Sequence, residues 1–301
     1  MKRIQKLETV ADYCRFFGIN IQHPLVTVAD FADYGSYPEG EMASNLYCVM
    51  YKELECGELR YGRSKYDYEA GTLLFMSPGQ TMELCGHSKS GTPESKGCIL
   101  MFHSDLMYGT PLARCMKDYS FFSYDSSEAL HMSEREKTVI LNLIKEIKDE
   151  LDSTIDKHTK QIVCSSIETL LNRCVRFYER QFVTREISNR HVIGKLDELL
   201  RNYFDNNLQQ QRGIPSVQYC AGEICLSPNY FSDLIRKETG KTALEYIQNY
   251  VIERAKVLLG EGIKSVSEVA YELGFKYPHH LTRVFKRHTG VTPTEYKAAS
   301  N

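Results

Sequence analysis

No apolar run in the 301 residues approaches the roughly 18 that a membrane-crossing helix requires, so no spanning segment is expected. The first residues, MKRIQKLETVADYCRFF, begin basic but lack a continuous apolar centre, which argues against a signal peptide. Ten cysteines occur without one C-x-x-C pair, and a chain this long builds its cores without disulfide staples. The thiols are therefore expected to be reduced and mostly buried, as in a cytoplasmic protein. There is no H-x-H. His23, His87 and His103 stand singly, and Cys85 with His87 makes only a C-x-H, too few donors for a closed or catalytic metal site. No activated serine or cysteine and no carboxylate pair is visible. The expectation is a protein without metal or cofactor that is not an enzyme.

Charge of either sign is also scarce in net terms. The chain carries 37 Lys+Arg against 39 Asp+Glu, a formal −2. The balance is uneven: residues 190–301 hold 15 cations and 12 anions, the rest 22 and 27. Weight therefore falls on local clusters, Arg236-Lys237, Arg283 and Lys286-Arg287, each of which could equally be an ordinary solvated helix face.

What the chain does have is a repeat. In SVSEVAYELGFKYPHHLTRVFKRHTGVTPTEY, from Ser265 to Tyr296, Val266, Val269, Ala270 and Leu273 form one helical stripe. Ser265 with Glu268 makes a capping box at its start, and Gly274 ends it. Leu281, Val284, Phe285 and His288 share a face of the next helix. Alone, this is a helix-turn-helix or any αα-hairpin. Sliding back 49 residues brings Val217, Ala221 and Glu223 onto Val266, Ala270 and Glu272. Beyond the turn the offset becomes 50, matching Phe231, Ile235, Lys237 and Thr239-Gly240 to Leu281, Phe285, Arg287 and Thr289-Gly290. Thr242 and Glu245-Tyr246 then fall on Thr292 and Glu295-Tyr296. The slip lies in the turn, where an insertion is best tolerated. The pattern is a duplicated helix-turn-helix.

FKYPHHLTRVFKRHTGVTPTEY resembles the signature segment of the AraC/XylS family of bacterial transcription regulators, and LSPNYFSDLIRKETGKTALEYI resembles that family's first helix-turn-helix. The likeness covers roughly residues 190 to 298. It departs at Leu281, where the family often has Phe, and at Tyr277-Pro278, which replaces a small polar pair. It implies an α+β protein of two domains: an N-terminal cupin-like β-barrel with a helical extension, and a C-terminal all-α domain with two helix-turn-helix motifs joined by a long helix. It also implies double-stranded operator or promoter DNA as partner, a small-molecule effector in the barrel, RNA polymerase as a further partner, and a homodimer.

Residues 1–132 are expected to form the effector-binding domain. After a short helix around Val10 to Phe17, β-rich runs (LVTVADF, NLYCVMYKEL, GELRYGRSKYDY, GTLLFMSPGQ, TMELC, GCILMFH) alternate with Gly and Pro, arguing for a sandwich or small barrel. GTLLFMSPGQ resembles part of the cupin-like sensor that precedes many AraC-type DNA-binding domains. Gly109 to Met132 connects, with Phe121 and Phe122 as docking points. Residues 133–181 hold two amphipathic helices. The first, capped by Ser133 with Glu136, carries Ile140, Leu143, Ile144, Ile147 and Leu151; the second carries Val163, Ile167, Leu170, Leu171, Cys174 and Tyr178. They can cover the barrel, pair with a second subunit, or both. Residues 182–190 read as a polar linker, and 191–301 as the DNA-binding domain, opened by a helix with Val192, Leu196, Leu199, Leu200 and Tyr203 inward.

In the first hairpin Ser227 caps a helix with Pro228 at its first position, leaving Asn229, Tyr230, Ser232, Asp233 and Arg236 outward. In the second the outward set is His279, His280, Thr282, Arg283 and Lys286. Between them Thr242 with Glu245 caps a helix to about Leu259, with Leu244, Ile247, Val251, Ala255 and Leu258 as its seam. Arg283 is the first choice for a base contact, since a guanidinium can grip guanine O6 and N7 together; His279, His280 and Asn229 follow. Lys237, Lys241 and Arg287 suit phosphates. Asp233 would meet a cytosine amino group or pair with Arg236 or Lys237. Two rival readings stand at this point, an enzyme fused to a DNA-binding domain and a helical adaptor whose repeats bind protein.

Overall fold

In the computed structural model the described residues are 4–35, 37–53, 71–87, 96–184 and 186–300, in two units, Met1–Val183 and Thr184–Asn301. The run GELRYGRSKYDY lies outside the described residues, as do the side chains of Cys85 and His87.

The apolar runs of the first unit become strands because β-branched and aromatic residues fit a pleated, half-buried surface. Their order is β1 (Ile4–Leu7), α1 (Val10–Phe17), β2 (Val26–Asp30), β3 (Tyr37–Ser44), β4 (Tyr47–Lys52), β5 (Thr72–Met76), β6 (Thr81–His87), β7 (Gly97–Phe102), α2 (Ser104–Met107), α3 (Pro111–Cys115) and β8 (Leu130–His131). β2-β7-β4-β5-β8 form a five-stranded antiparallel sheet. β1-β3-β6 form a second sheet, with β1 parallel to β3 and β3 antiparallel to β6.

β1 and β3 have no counterpart among the expected strands. Pro38 in β3 reads as a turn signal, yet β3 is the central strand of its sheet. Among the described residues β1 pairs with β3 from Glu41 to Ser44, past Pro38, while β6 pairs along the other side.

The two sheets share a core with α1. Leu7 and Met42 from the small sheet meet Ala29, Cys48, Met50, Ile99 and Met101 from the large one, with Val10, Tyr13, Cys14 and Phe17 of α1. Alternate residues of the large sheet point the other way and are also buried: Val49, Leu100, Phe102 and Phe75. Phe121 and Phe122 dock there as expected, Phe121 against Phe75 at 4.3 Å and against Tyr178 at 5.5 Å between ring centroids. A sheet covered on both faces explains why its strands read as nearly unbroken apolar runs. Each fully buried Leu, Ile or Val contributes about 1.5–3 kcal/mol.

α4 (Glu134–Asp152) begins at the Ser133/Glu136 capping box and buries Ile140, Ile144, Ile147 and Leu151, with Leu143 half-buried. α5 (Thr159–Thr184) buries the whole expected stripe from Val163 to Tyr178. Its last turns are locked to β8: Gln181, fully buried, accepts from the His131 amide at 2.8 Å and donates to the Ala129 carbonyl at 3.2 Å. Arg180 donates to both Glu136 oxygens, at 3.1 and 2.7 Å, and to the His131 carbonyl at 2.8 Å. A two-pronged pair shielded from water is worth more than an exposed one.

Within the stretch read as a polar linker, 182–190, α5 runs to Thr184 and α6 (Glu186–Asp205) follows, with Arg185 outside the described residues. The boundary between the two units falls there, at Val183–Thr184. α6 buries Leu196, Leu200, Tyr203 and Phe204, while Val192 and Leu199 are half-buried.

The second unit continues with α7 (Gln209–Arg212), α8 (Val217–Glu223), α9 (Pro228–Thr239), α10 (Ala243–Gly260), α11 (Val266–Glu272), α12 (Pro278–Thr289) and α13 (Pro293–Ser300). α6 packs on α8 and α9, and α10 packs on α11 and α12 as well as on α8, α9 and α13. Its buried seam is Ala243, Ile247, Val251, Ile252, Ala255 and Leu259. Leu244, expected in that seam, is 53% exposed, and Leu258 is half-buried. The cap at Thr242 sets the phase, and from Ala243 onward the buried positions recur every fourth residue, one step away from Leu244.

Candidate nucleic-acid interface

The sequence repeat holds at the level of individual atoms. α8 is capped by Ser216 and α11 by Ser265. At the end of α8 the Leu226 amide donates to the Ala221 carbonyl at 3.0 Å; at the end of α11 Phe275 donates to Ala270 at 2.9 Å. Both turns pass through one left-handed residue, Cys225 (φ 60°) in the first and Gly274 (φ 85°) in the second. Ser227 then caps α9 and Tyr277 stands at the same place before α12, so the inserted residue of the second copy is Lys276. Ser232 Oγ donates back to the Pro228 carbonyl at 2.7 Å and Thr282 Oγ1 to Pro278 at 3.3 Å. Thr239 and Thr289 bond back to Ile235 and Phe285, and left-handed Gly240 and Gly290 close the two helices.

Gly274 is required twice over. Its positive φ strains any other residue, and a Cβ there would lie 2.8 Å from the Gln209 carbonyl oxygen. α7 is what crowds it: Gln209 Nε2 donates to the Glu272 carbonyl at 3.1 Å, pinning that short helix against the turn. Cys225 occupies the same conformation on an exposed turn.

On α9, Phe231, Leu234 and Ile235 are buried, while Asn229, Arg236 and Lys237 are exposed and Ser232 and Asp233 half-buried. Tyr230 does not face outward as expected; it is 4% exposed. It precedes Leu234 by one turn, which puts it on the apolar stripe. On α12, Leu281, Val284 and Phe285 are buried, and His279, Arg283, Lys286 and Arg287 are exposed, with His280 and Thr282 half-buried. His279, Arg283 and Lys286 fall at i, i+4 and i+7, a single exposed stripe. Lys241, just beyond α9, is exposed. His288, placed with the apolar set, is half-buried and lies 3.4 Å from Gln248 Oε1.

Tyr277 was not among the expected site residues. It is 47% exposed, stacks on His279 at 5.5 Å and carries Lys276 at 5.6 Å over its ring. The signal was the slip in the repeat, which placed an aromatic residue where the first copy has a capping serine. Partial desolvation, then the neighbouring His279 and Arg283, lower the His280 imidazole from its usual range, so it is neutral near pH 7 and can both donate and accept. Burial, then Arg287, does the same for His288. The capping carboxylates Glu245, Glu268 and Glu295 are held low chiefly by the backbone amides of Thr242, Ser265 and Thr292.

Among the described residues no group of three or more His, Cys, Asp or Glu is placed to hold a metal ion, and no helix is long and apolar enough to cross a membrane. Of the eight cysteines whose side chains are described, six are buried; burial pushes the thiols of Cys98 and Cys220 up to about 12.

The helix-turn-helix domain family matches residues 220–299. The probable transcriptional regulator LumQ of Photobacterium leiognathi is 24% identical over 241 residues, 78% of this chain and 86% of that protein. The arabinose operon regulatory protein of Salmonella typhimurium is 35% identical over 102 residues, 34% of this chain and 32% of that protein, so the match to it spans about a third of its length. A solved transcriptional regulator from Chromobacterium violaceum, described as containing an AraC-type DNA-binding domain, covers 36% of this chain and 92% of its own, with 22% identity and a TM-score of 0.31. These relatives are named as regulators of transcription, not as enzymes. Residues 220–299 form a helix-turn-helix domain of the AraC type, and the relatives that share it are named as regulators of transcription.

Proposed function

We propose that the chain regulates transcription by binding double-stranded operator DNA in a sequence-specific way through α9 and α12. The observation that carries this reading is the duplication itself: two hairpins alike in their turn hydrogen bonds and closing glycines, each with a polar, cation-bearing outer face. In this reading Arg283 grips a guanine, His279, His280 and Asn229 meet further base edges, and Lys237, Lys241 and Arg287 hold phosphates. Ser232 and Thr282 spend their hydroxyl protons on backbone carbonyls and are left as acceptors. Tyr230 drops out of the contact set. α10, 18 residues long, spans about 27 Å at 1.5 Å per residue, a brace suited to successive major-groove segments about 34 Å apart.

The first unit completes the reading as a cupin-like sensor. A cleft of about 790 Å³ opens between its two sheets, lined by Met50, Leu74, Met76 and Met82 with Lys52 and Glu41. That volume suits a small-molecule effector. In the same reading α4 and α5 carry a homodimer, RNA polymerase is a further partner, and the protein works in the cytoplasm. Sedimentation of the full chain at micromolar concentration is expected to give the dimer mass; a monomer removes that part of the proposal.

The DNA-binding core of the reading is tested by titrating a labelled duplex with the full chain at two salt concentrations. Neutralising six to ten phosphates should cost roughly 10³ to 10⁵ in affinity between 50 and 200 mM salt, because bound counterions are released. Affinity indifferent to salt would exclude DNA as the partner and favour a protein-binding adaptor.

A further inference from the structure

Apart from the inserted Lys276, the two hairpins share one backbone plan, so differences in how they meet DNA fall mainly to their outer side chains. Those differ in charge. From Cys225 to Lys241 the first copy carries Arg236, Lys237 and Lys241 against Asp233 and Glu238, a net +1. From Gly274 to Val291 the second carries Lys276, Arg283, Lys286 and Arg287 and no acidic residue, a net +4. Apart from the inserted Lys276 the positions correspond one to one. Arg236 and Lys237 match Lys286 and Arg287, all four exposed; Asp233 matches Arg283, and Glu238 matches His288.

We propose that the hairpins are unequal partners on DNA: the second, through α12, supplies most of the phosphate neutralisation and anchors the chain, while the first docks with little electrostatic gain. This rests on the DNA-binding reading above. Asp233 precedes Arg236 by three residues and Lys237 by four, the spacings at which opposite charges on one helix attract. The cations of α9 therefore approach a phosphate already partly offset, and the carboxylates themselves repel it. The corresponding neighbours in α12 are a guanidinium and an imidazole. All these charges lie within one hairpin, so they act on the same stretch of backbone within a Debye length of about 10 Å at 0.1 M salt.

The helix starts differ in one contact: the Tyr230 amide donates to the Ser227 side chain at 3.3 Å, whereas the matching His280 amide donates to the Tyr277 carbonyl at 3.0 Å.

The test compares two matched double variants of the full chain, Lys286→Gln with Arg287→Gln and Arg236→Gln with Lys237→Gln. The probe is a fluorescein-labelled 40-base-pair duplex of random sequence, and affinity is followed by anisotropy across a salt series. Circular dichroism melts confirm that both variants are folded; the four positions are exposed, so neither should shift its melting point. The α12 pair is expected to reduce the slope of log affinity against log salt by about 2 and to weaken binding at least about tenfold at 0.1 M salt. The α9 pair is expected to change the slope by less than about half as much. Equal slope changes, or a larger one from the α9 pair, overturn the inequality while leaving DNA binding intact. Wild-type protein whose binding shows no salt slope overturns the DNA-binding reading itself, and this inference with it.

Discussion

A Gly274→Ala variant is expected to lose about 3 kcal/mol of stability in the second unit, combining left-handed strain with forced overpacking. By the usual scaling this lowers the melting temperature of that unit by about 10–15 °C. The single added methyl would sit 2.8 Å from the Gln209 carbonyl oxygen and 3.0 Å from the Gly213 carbonyl carbon, both backbone atoms that cannot swing aside. Gly260→Ala is the control. It lies at the end of α10 with nothing within 4 Å of its would-be Cβ, and alanine there should be neutral or stabilising by about 0.5–1 kcal/mol. Two similar melting curves would show that the turn can shift away from α7 and that the crowding at Gly274 is not structural.

Arg283→Ala is expected to cost about 1–3 kcal/mol in binding to the preferred duplex and to relax selectivity at one base pair. The side chain is exposed and on the middle of the α12 stripe, so its removal leaves no cavity and no change in melting is expected. The measurement is affinity across a panel of single-base variants of a duplex selected from a random pool. A uniform loss over the whole panel would make Arg283 a phosphate contact instead of a base reader. The two variants separate by design: the glycine change acts on folding and the arginine change on recognition.

Much of the second unit was legible because its signals are local. A capping box needs only residues three apart, and those at Ser133, Thr242 and Ser265 all form as read. The duplicated turn was legible because the same chemistry recurs at a fixed offset, with the slip landing on Lys276. What was not legible depended on phase or on distant partners. Tyr230 was assigned outward although it shares a stripe with Leu234, and Leu244 was assigned inward although the cap at Thr242 rotates it out. β3 was hidden by Pro38, a turn signal when read alone, because its pairing with β1 and β6 depends on distant strands. The helical residues on either side of Arg185 were not legible in 182–190, because polarity says where a segment meets water but not what backbone it adopts. In the candidate site the six cations named from the sequence, Arg236, Lys237, Lys241, Arg283, Lys286 and Arg287, are all exposed, while Lys276 and Tyr277, not named from it, sit where the copies differ in length.

α10 touches both hairpins along an uninterrupted run of helix, with α8 and α9 on one side of the bargain and α11, α12 and α13 on the other. Its length can change only in whole residues, and each one added or removed would swing one hairpin about 100° around the other. If the two hairpins meet DNA as proposed, the separation of their targets can change only in steps of one helical residue, not gradually.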